Sequence, residues 1–245
     1  MRNIKMHIQY DGSKYKGWQI LKDNNNTIQG KIEQILSLMT GEDIHVISSG
    51  RTDAGVHAKM QVINFHTNFE GSIDYILDYC LKYMPKDILV YEAFNVDEDF
   101  HSRYHVKEKE YTYYICNKKF YDLFSRKYNY NLPEKLDIDA IKEASTYLIG
   151  EHDFKAFTAL KSKKKSTVRN IYSIDITNSE GNISIVYKGN GFLYKMVRIL
   201  TGTLIEVGLH NLSPLDIEKA LKSKDRFKAG SAAPAHGLFM TNVKY

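Results

Sequence analysis

The chain has 245 residues, 43% hydrophobic and 26% charged, with a formal net charge of +5. That is the make-up of a globular protein with room for one long domain or two of about 120 residues each, and the charge is a mild bias toward polyanionic partners. Two cysteines, Cys80 and Cys116, exclude a disulfide framework, and no CxxC or Cys/His spacing suggests zinc.

Cys80 sits in an apolar helical pattern and Cys116 near the end of a predicted strand, which predicts buried thiols. The chain starts Met1-Arg2-Asn3-Ile4-Lys5-Met6-His7, without a signal-peptide apolar block, and it holds no long apolar run of the length a membrane span requires. A cytoplasmic protein is expected. Eighteen tyrosines and eleven phenylalanines suit either stacking on bases or a β-rich core.

Ile4, Met6, Ile8 and Tyr10 alternate as a half-buried strand does, and Asp11-Gly12 ends it. Thr27 is placed to cap a helix with Ile28, Ile32, Ile35, Leu36 and Met39 on one face, closed by Gly41. Strands follow over 43–49 and 60–67. Ile73, Ile76, Leu77, Cys80 and Leu81 predict a second helix stopped before Pro85, and 88–96 reads as another strand. The second half repeats the order. A strand over 104–116 precedes a helix over 137–149, then strands over 168–178 and 182–188 meet across a turn with Asn178 and Gly181. A helix over 192–207, a short one over 214–222 and a strand over 238–244 complete it. Both halves follow β-α-β-β-α-β, so the expected class is α+β: two ferredoxin-like halves, 1–103 and 104–245, with mainly antiparallel sheets and a catalytic cleft between them.

The most informative stretch is Gly50-Arg51-Thr52-Asp53-Ala54-Gly55-Val56-His57-Ala58, between two predicted strands. It carries one carboxylate and one guanidinium two residues apart, among small residues. Gly50 and Gly55 admit backbone conformations closed to other residues, and Ala54 leaves Asp53 unscreened. A lone aspartate in such a turn is also an ordinary turn former.

The complete nonamer closely resembles the signature of the TruA family of tRNA pseudouridine synthases. Four further blocks and the opening strand resemble that family in the same order. They are Tyr10 to Gln19, Phe100-His101-Ser102-Arg103, Lys109-Glu110-Tyr111-Thr112-Tyr113, Gly189 to Arg198, and Ala233-Pro234-Ala235-His236-Gly237-Leu238. The resemblance implies the pseudouridine synthase fold and an isomerase that converts uridine to pseudouridine in the anticodon stem-loop of tRNA, at positions 38, 39 and 40. It implies Asp53 as the catalytic nucleophile acting on a flipped-out uridine, Arg198 as its ion-pair partner, Tyr111 as the ring on which the base stacks, and Arg51 as a substrate-binding residue. Arg51 would fill the space left by the flipped base or hold its phosphate. Tyr113, on the same strand face as Tyr111, is read as a core ring. The resemblance also implies a homodimer with tRNA as its partner.

The reaction exchanges one bond from uracil for another and needs no cofactor or metal, which suits a chain offering one aspartate and no acidic pair. Whether the carboxylate attacks C1′, adds to C6 or removes the C2′ proton stays open, and every route uses its ionised form. An RNA-binding module without catalysis and a metal-dependent nuclease are the rival readings. Lys161, Lys163, Lys164, Lys165 and Arg169 form a charge run, either a solvated loop or a contact for RNA phosphates. His101 and His105 lack the glutamate of an HExxH zinc site.

Overall fold

The computed structural model describes residues 1–22, 26–160 and 166–245. The chain divides into two compact units, Met1–Lys107 with Phe239–Tyr245, and Glu108–Leu238.

In the first unit β1 (Arg2–Tyr10) leads to α1 (Ile28–Thr40), β2 (Ile47–Ser48), β3 (His57–Thr67), α2 (Ile73–Tyr83) and β4 (Ile88–Val96). Strand β1 lies antiparallel between β3 and β4, and β2 lies antiparallel along the other side of β3. Thr27 caps α1 by accepting from the Gly30 N–H at 3.2 Å, and Gly41 ends it in the left-handed region at φ +72°. Ile28, Ile32, Leu36 and Met39 are buried as their spacing predicts.

The predicted strand over 43–49 shrinks to two paired residues. The donors ahead of it are taken by side chains of α1: Ile44 N–H donates to Ser37 Oγ at 3.0 Å and Val46 N–H to Glu33 Oε1 at 2.9 Å. In α2 Ile76 and Cys80 are buried, whereas Leu81 is 70% exposed. That helix covers the sheet with a narrower stripe than its sequence suggests.

The second unit holds β5 (Glu108–Cys116), β6 (Tyr130–Asn131), α3 (Ile138–Thr146), β7 (Gly150–Asp153), β8 (Val168–Ser179), β9 (Asn182–Gly189), α4 (Met196–Gly208) and α5 (Pro214–Ser223). Strands β5, β9, β8 and β7 form consecutive antiparallel pairs, and β6 runs parallel beside the end of β5. The hairpin from β8 to β9 turns through Glu180 and Gly181, both at positive φ (+49° and +81°), the geometry that matches strand twist. Strand β5 begins four residues later than predicted, and β7 is an element the sequence patterning did not reveal. Cys116, on β5, and Cys80 are both buried free thiols.

The last strand, β10 (Leu238–Lys244), runs almost wholly with the first unit, where Phe239 and Met240 pair parallel with His57 and Ala58. Lys107 N–H donates to the Lys244 carbonyl at 2.9 Å, and Tyr245 Oη to the Ser102 carbonyl at 2.7 Å. The secondary structure is thus mixed α and β with mostly antiparallel pairing. No helix among the described residues is long and apolar enough to cross a membrane.

Candidate active site

The Asp53 loop joins β2 to β3 and is held by the chain that follows β1. Trp18 N–H donates to the Thr52 carbonyl at 3.0 Å, and Val56 N–H turns back to the Asp53 carbonyl at 3.2 Å. These bonds require close backbone approach. A Cβ on Gly12 would fall 2.0 Å from the Val56 carbonyl oxygen. One on Gly17 would fall 2.9 Å from the Thr52 carbonyl, at a φ of +97° that other residues rarely adopt. The opening block of the sequence is therefore the bed on which the aspartate loop lies.

Buried polar contacts complete the anchoring. Tyr10 Oη and Thr52 Oγ1 are hydrogen-bonded at 2.9 Å, both buried. Burial raises the Tyr10 phenol well above its ordinary pKa, with Thr52 and Gln61 opposing, so it stays a neutral hydrogen-bonding group. Gln61 Nε2 donates to the Gly50 carbonyl at 2.7 Å while its Oε1 accepts from Ser49 Oγ. Gly12 N–H donates to Nδ1 of the buried His57 at 3.1 Å, and that ring stacks on Phe239 with centroids 4.6 Å apart. Of the two signature glycines only Gly55 takes a positive φ, +78°. Gly50 serves through its carbonyl.

On this rigid bed Asp53 is half-buried and is the one acid between residues 49 and 58. Thr52 beside it is buried and Arg51 is exposed. Among the described residues Arg51 has no hydrogen bond or ion pair.

Tyr111 and Arg198 stand in the second unit. Tyr111 lies on β5 opposite Tyr187 of β9 and meets Phe192 edge-on, with centroids 5.3 Å apart. It is buried, with 8% of its surface exposed. Tyr113 is fully buried, donates to the Pro234 carbonyl at 2.8 Å and lies against Gly237, where a Cβ would come within 2.8 Å of the ring. That is the core ring expected of it.

Arg198 is the third residue of α4, half-buried, entered through Lys195 at φ +58°. It is clamped to the closing segment twice: its Nε donates to the Ala233 carbonyl at 2.7 Å, and its own carbonyl accepts from Ala233 N–H at 2.9 Å. The segment can lie so close because Gly202 has no side chain; a Cβ there would sit 1.8 Å from the Ser231 carbonyl. The guanidinium thus has one edge committed to backbone, which fixes its plane. Its charge is felt nearby. Burial raises the Tyr113 phenol, with Arg198 opposing, and burial lowers the His236 imidazole, to which Arg198 adds.

The structure brings Arg51 and Asp53 onto one loop of the first unit and puts Tyr111 and Arg198 in the second. The lysine run Lys161–Lys165 lies outside the described residues. Arg169 of the same run donates to the Ser166 carbonyl at 3.2 Å. Tyr10, Gly12, Gly17 and Ala233 fall in blocks that the sequence marks by resemblance, without a positioning role attached, whereas Gln61 was not singled out.

A family model described as tRNA pseudouridine synthase matches residues 6–105 and 144–245. The chain is 54% identical to "tRNA pseudouridine synthase A 1" of Clostridium tetani and 48% identical to "tRNA pseudouridine synthase A" of a Bacillus species, each over the full length of both chains. Among solved structures, a chain of a Cbf5-Nop10-Gar1 complex is a remote likeness, at TM-score 0.44 and 13% identity over 97% of this chain and 48% of that one. The matched stretches contain Arg51, Asp53 and Arg198 together with the glycine bed beneath the loop, and the protein belongs to the tRNA pseudouridine synthase family.

Proposed function

We propose that this protein isomerises uridine to pseudouridine in the anticodon stem-loop of tRNA, at positions 38, 39 and 40, with Asp53 as the nucleophile. In that reaction the C1′–N1 bond breaks and a C1′–C5 bond forms. The C5 hydrogen leaves to solvent and N1 gains one, so atoms balance without an external reagent. The observation that supports Asp53 most is its setting: a half-buried carboxylate, the one acid between residues 49 and 58, on a loop whose backbone is pinned at Thr52, Asp53 and Val56. A nucleophile gains from such preorganisation because little order is left to impose on the way to the transition state.

The other residues take the roles their chemistry suits. Extruding a stem uridine costs a few kcal/mol of stacking and pairing, and the exposed Arg51 is available to hold the opened strand. Tyr111 is the ring on which, by the family resemblance, the base stacks. Arg198, with its plane fixed by Ala233, supplies the cation that the family resemblance assigns to the nucleophile. The enzyme works as a cytoplasmic homodimer without cofactor or metal. The test is to incubate transcript tRNAs with the protein and map pseudouridine by chemical sequencing. Modification confined to positions 38, 39 and 40 is expected. Modification elsewhere only, or none, would refute the assignment of the target.

A further inference from the structure

We propose that the loop over 117–129, between β5 and β6, is a second RNA-contacting surface that stacks unpaired bases and holds the phosphates between them. The inference rests on tRNA being the substrate and adds a contact that the Asp53 loop does not supply.

The loop carries Lys118, Lys119, Arg126 and Lys127 against the single acid Asp122, a net +3 within thirteen residues of a chain whose total is +5. Interleaved with them are Phe120 and Phe124, which are 80% and 86% exposed. Two bare phenylalanines beside four cations are costly to leave in water and have no hydrophobic role in the unit's core. Aromatic faces alternating with phosphate-binding cations are the composition of a single-stranded nucleic acid platform. Lys119 Nζ already lies 5.4 Å from the Phe120 ring centroid, in the geometry of a cation over a π face.

The loop is ordered without being buried. Asp122 Oδ1 accepts from Phe124 N–H at 3.0 Å, Ser125 N–H donates to the Asp122 carbonyl at 3.2 Å, and Tyr128 N–H donates to the Ser125 carbonyl at 2.9 Å. Its ends are tied by Asn117, whose Nδ2 donates to the Leu132 and Glu134 carbonyls at 2.6 Å each. Local turns thus hold the two rings outward, which lowers the entropy lost on binding. The loop lies in residues 106–143, between the two stretches that the family model matches.

The test compares wild type with Phe120→Ala/Phe124→Ala and with Lys118→Gln/Lys119→Gln/Lys127→Gln, using one transcript tRNA. Dissociation constants are read across a salt series, alongside KM for pseudouridine formation. The aromatic variant is expected to weaken binding at least about tenfold and raise KM with it. The lysine variant is expected to lower the slope of log affinity against log salt by about two. Four of these five side chains are exposed and Lys118 is half-buried beside Gly181, so melting curves should stay close to wild type. Unchanged affinity and slope in both variants would overturn the proposal, as would loss of self-association with RNA affinity intact, which would put a second copy of the chain on the loop. If wild type forms no pseudouridine but the variants lose tRNA affinity, the enzymatic reading fails and the RNA surface stands.

Discussion

The hydrogen bond between Tyr10 and Thr52 links the first strand to the residue preceding Asp53, and its removal can be followed quantitatively. Both partners are buried and their oxygens are 2.9 Å apart. Tyr10→Phe removes one hydroxyl and strands the other. A buried hydroxyl without a partner costs about 1–3 kcal/mol, more than the roughly 1 kcal/mol a satisfied pair contributes. Thr52→Val, which keeps volume, strands Tyr10 Oη instead, although Gln61 remains beside that oxygen and softens the loss. Each single variant should therefore unfold about 2–12 °C below wild type, at about 2–4 °C per kcal/mol for a chain of this size. The double variant leaves neither hydroxyl stranded and should cost less than the sum, with a coupling energy of about 1 kcal/mol. Thermal and urea unfolding of the four proteins measure this, and kcat should fall about tenfold in each single variant as the loop loses its anchor. Additive single effects, or single effects below about 0.3 kcal/mol, would refute the view that this pair holds the catalytic loop.

Alanine at Gly17 must adopt φ +97° with its Cβ near the Thr52 carbonyl; the conformation alone costs about 1–2 kcal/mol, and a lowered melting temperature with kcat reduced more than KM is expected in steady-state assays. Gly12→Ala, whose Cβ would meet the Val56 carbonyl at 2.0 Å, should reduce kcat about a hundredfold, and near-wild-type turnover would show that the loop is not held there. Arg198→Lys keeps a positive charge but loses the Nε donor to Ala233, so turnover should fall nearly as far as in Arg198→Ala; full rescue by lysine in single-turnover kinetics would mean that charge alone matters. Asp216, which caps α5 with Ser213 and binds Lys219 at 2.8 Å, has its carboxyl held down to about 2. Because its folded pKa is depressed, the stability it contributes is present above its unfolded value of about 3.9 and is lost as pH falls through about 2. The stability gap between wild type and Asp216→Asn, read by urea unfolding, should close over that window and stay constant above pH 5.

Much of the fold is legible because it is local. Thr27 and Gly41 bracket α1 by cap chemistry, and the alternation of Ile4, Met6, Ile8 and Tyr10 sets the buried face of β1. What the chain order hides is competition for backbone donors and pairing at a distance. Residues 43–46 have strand-like composition, yet Ser37 and Glu33 of α1 take the donors a ladder would use. The four-residue β7 has no periodicity to find and exists because β8 offers it an edge. The strand at the end of the chain pairs with His57 and Ala58, which no local pattern announces.

The site divides in the same way. Asp53 and Arg51 stand out in the signature because small residues surround them, and Arg198 stands out in its block. The parts that hold these residues in place do not. That Gly12 and Gly17 lie against residues 52–56, or that Ala233 grips Arg198 from 35 positions away, is a fact of close packing that sequence spacing cannot express.

The central claim is that one carboxylate carries the isomerisation. It is tested most directly by tritium release from tRNA labelled at uridine C5, comparing wild type, Asp53→Asn and Asp53→Ala under single-turnover conditions. The account predicts steady release by wild type and none above background by either variant, with tRNA still bound by both. Release by Asp53→Ala at a rate near that of wild type would contradict it.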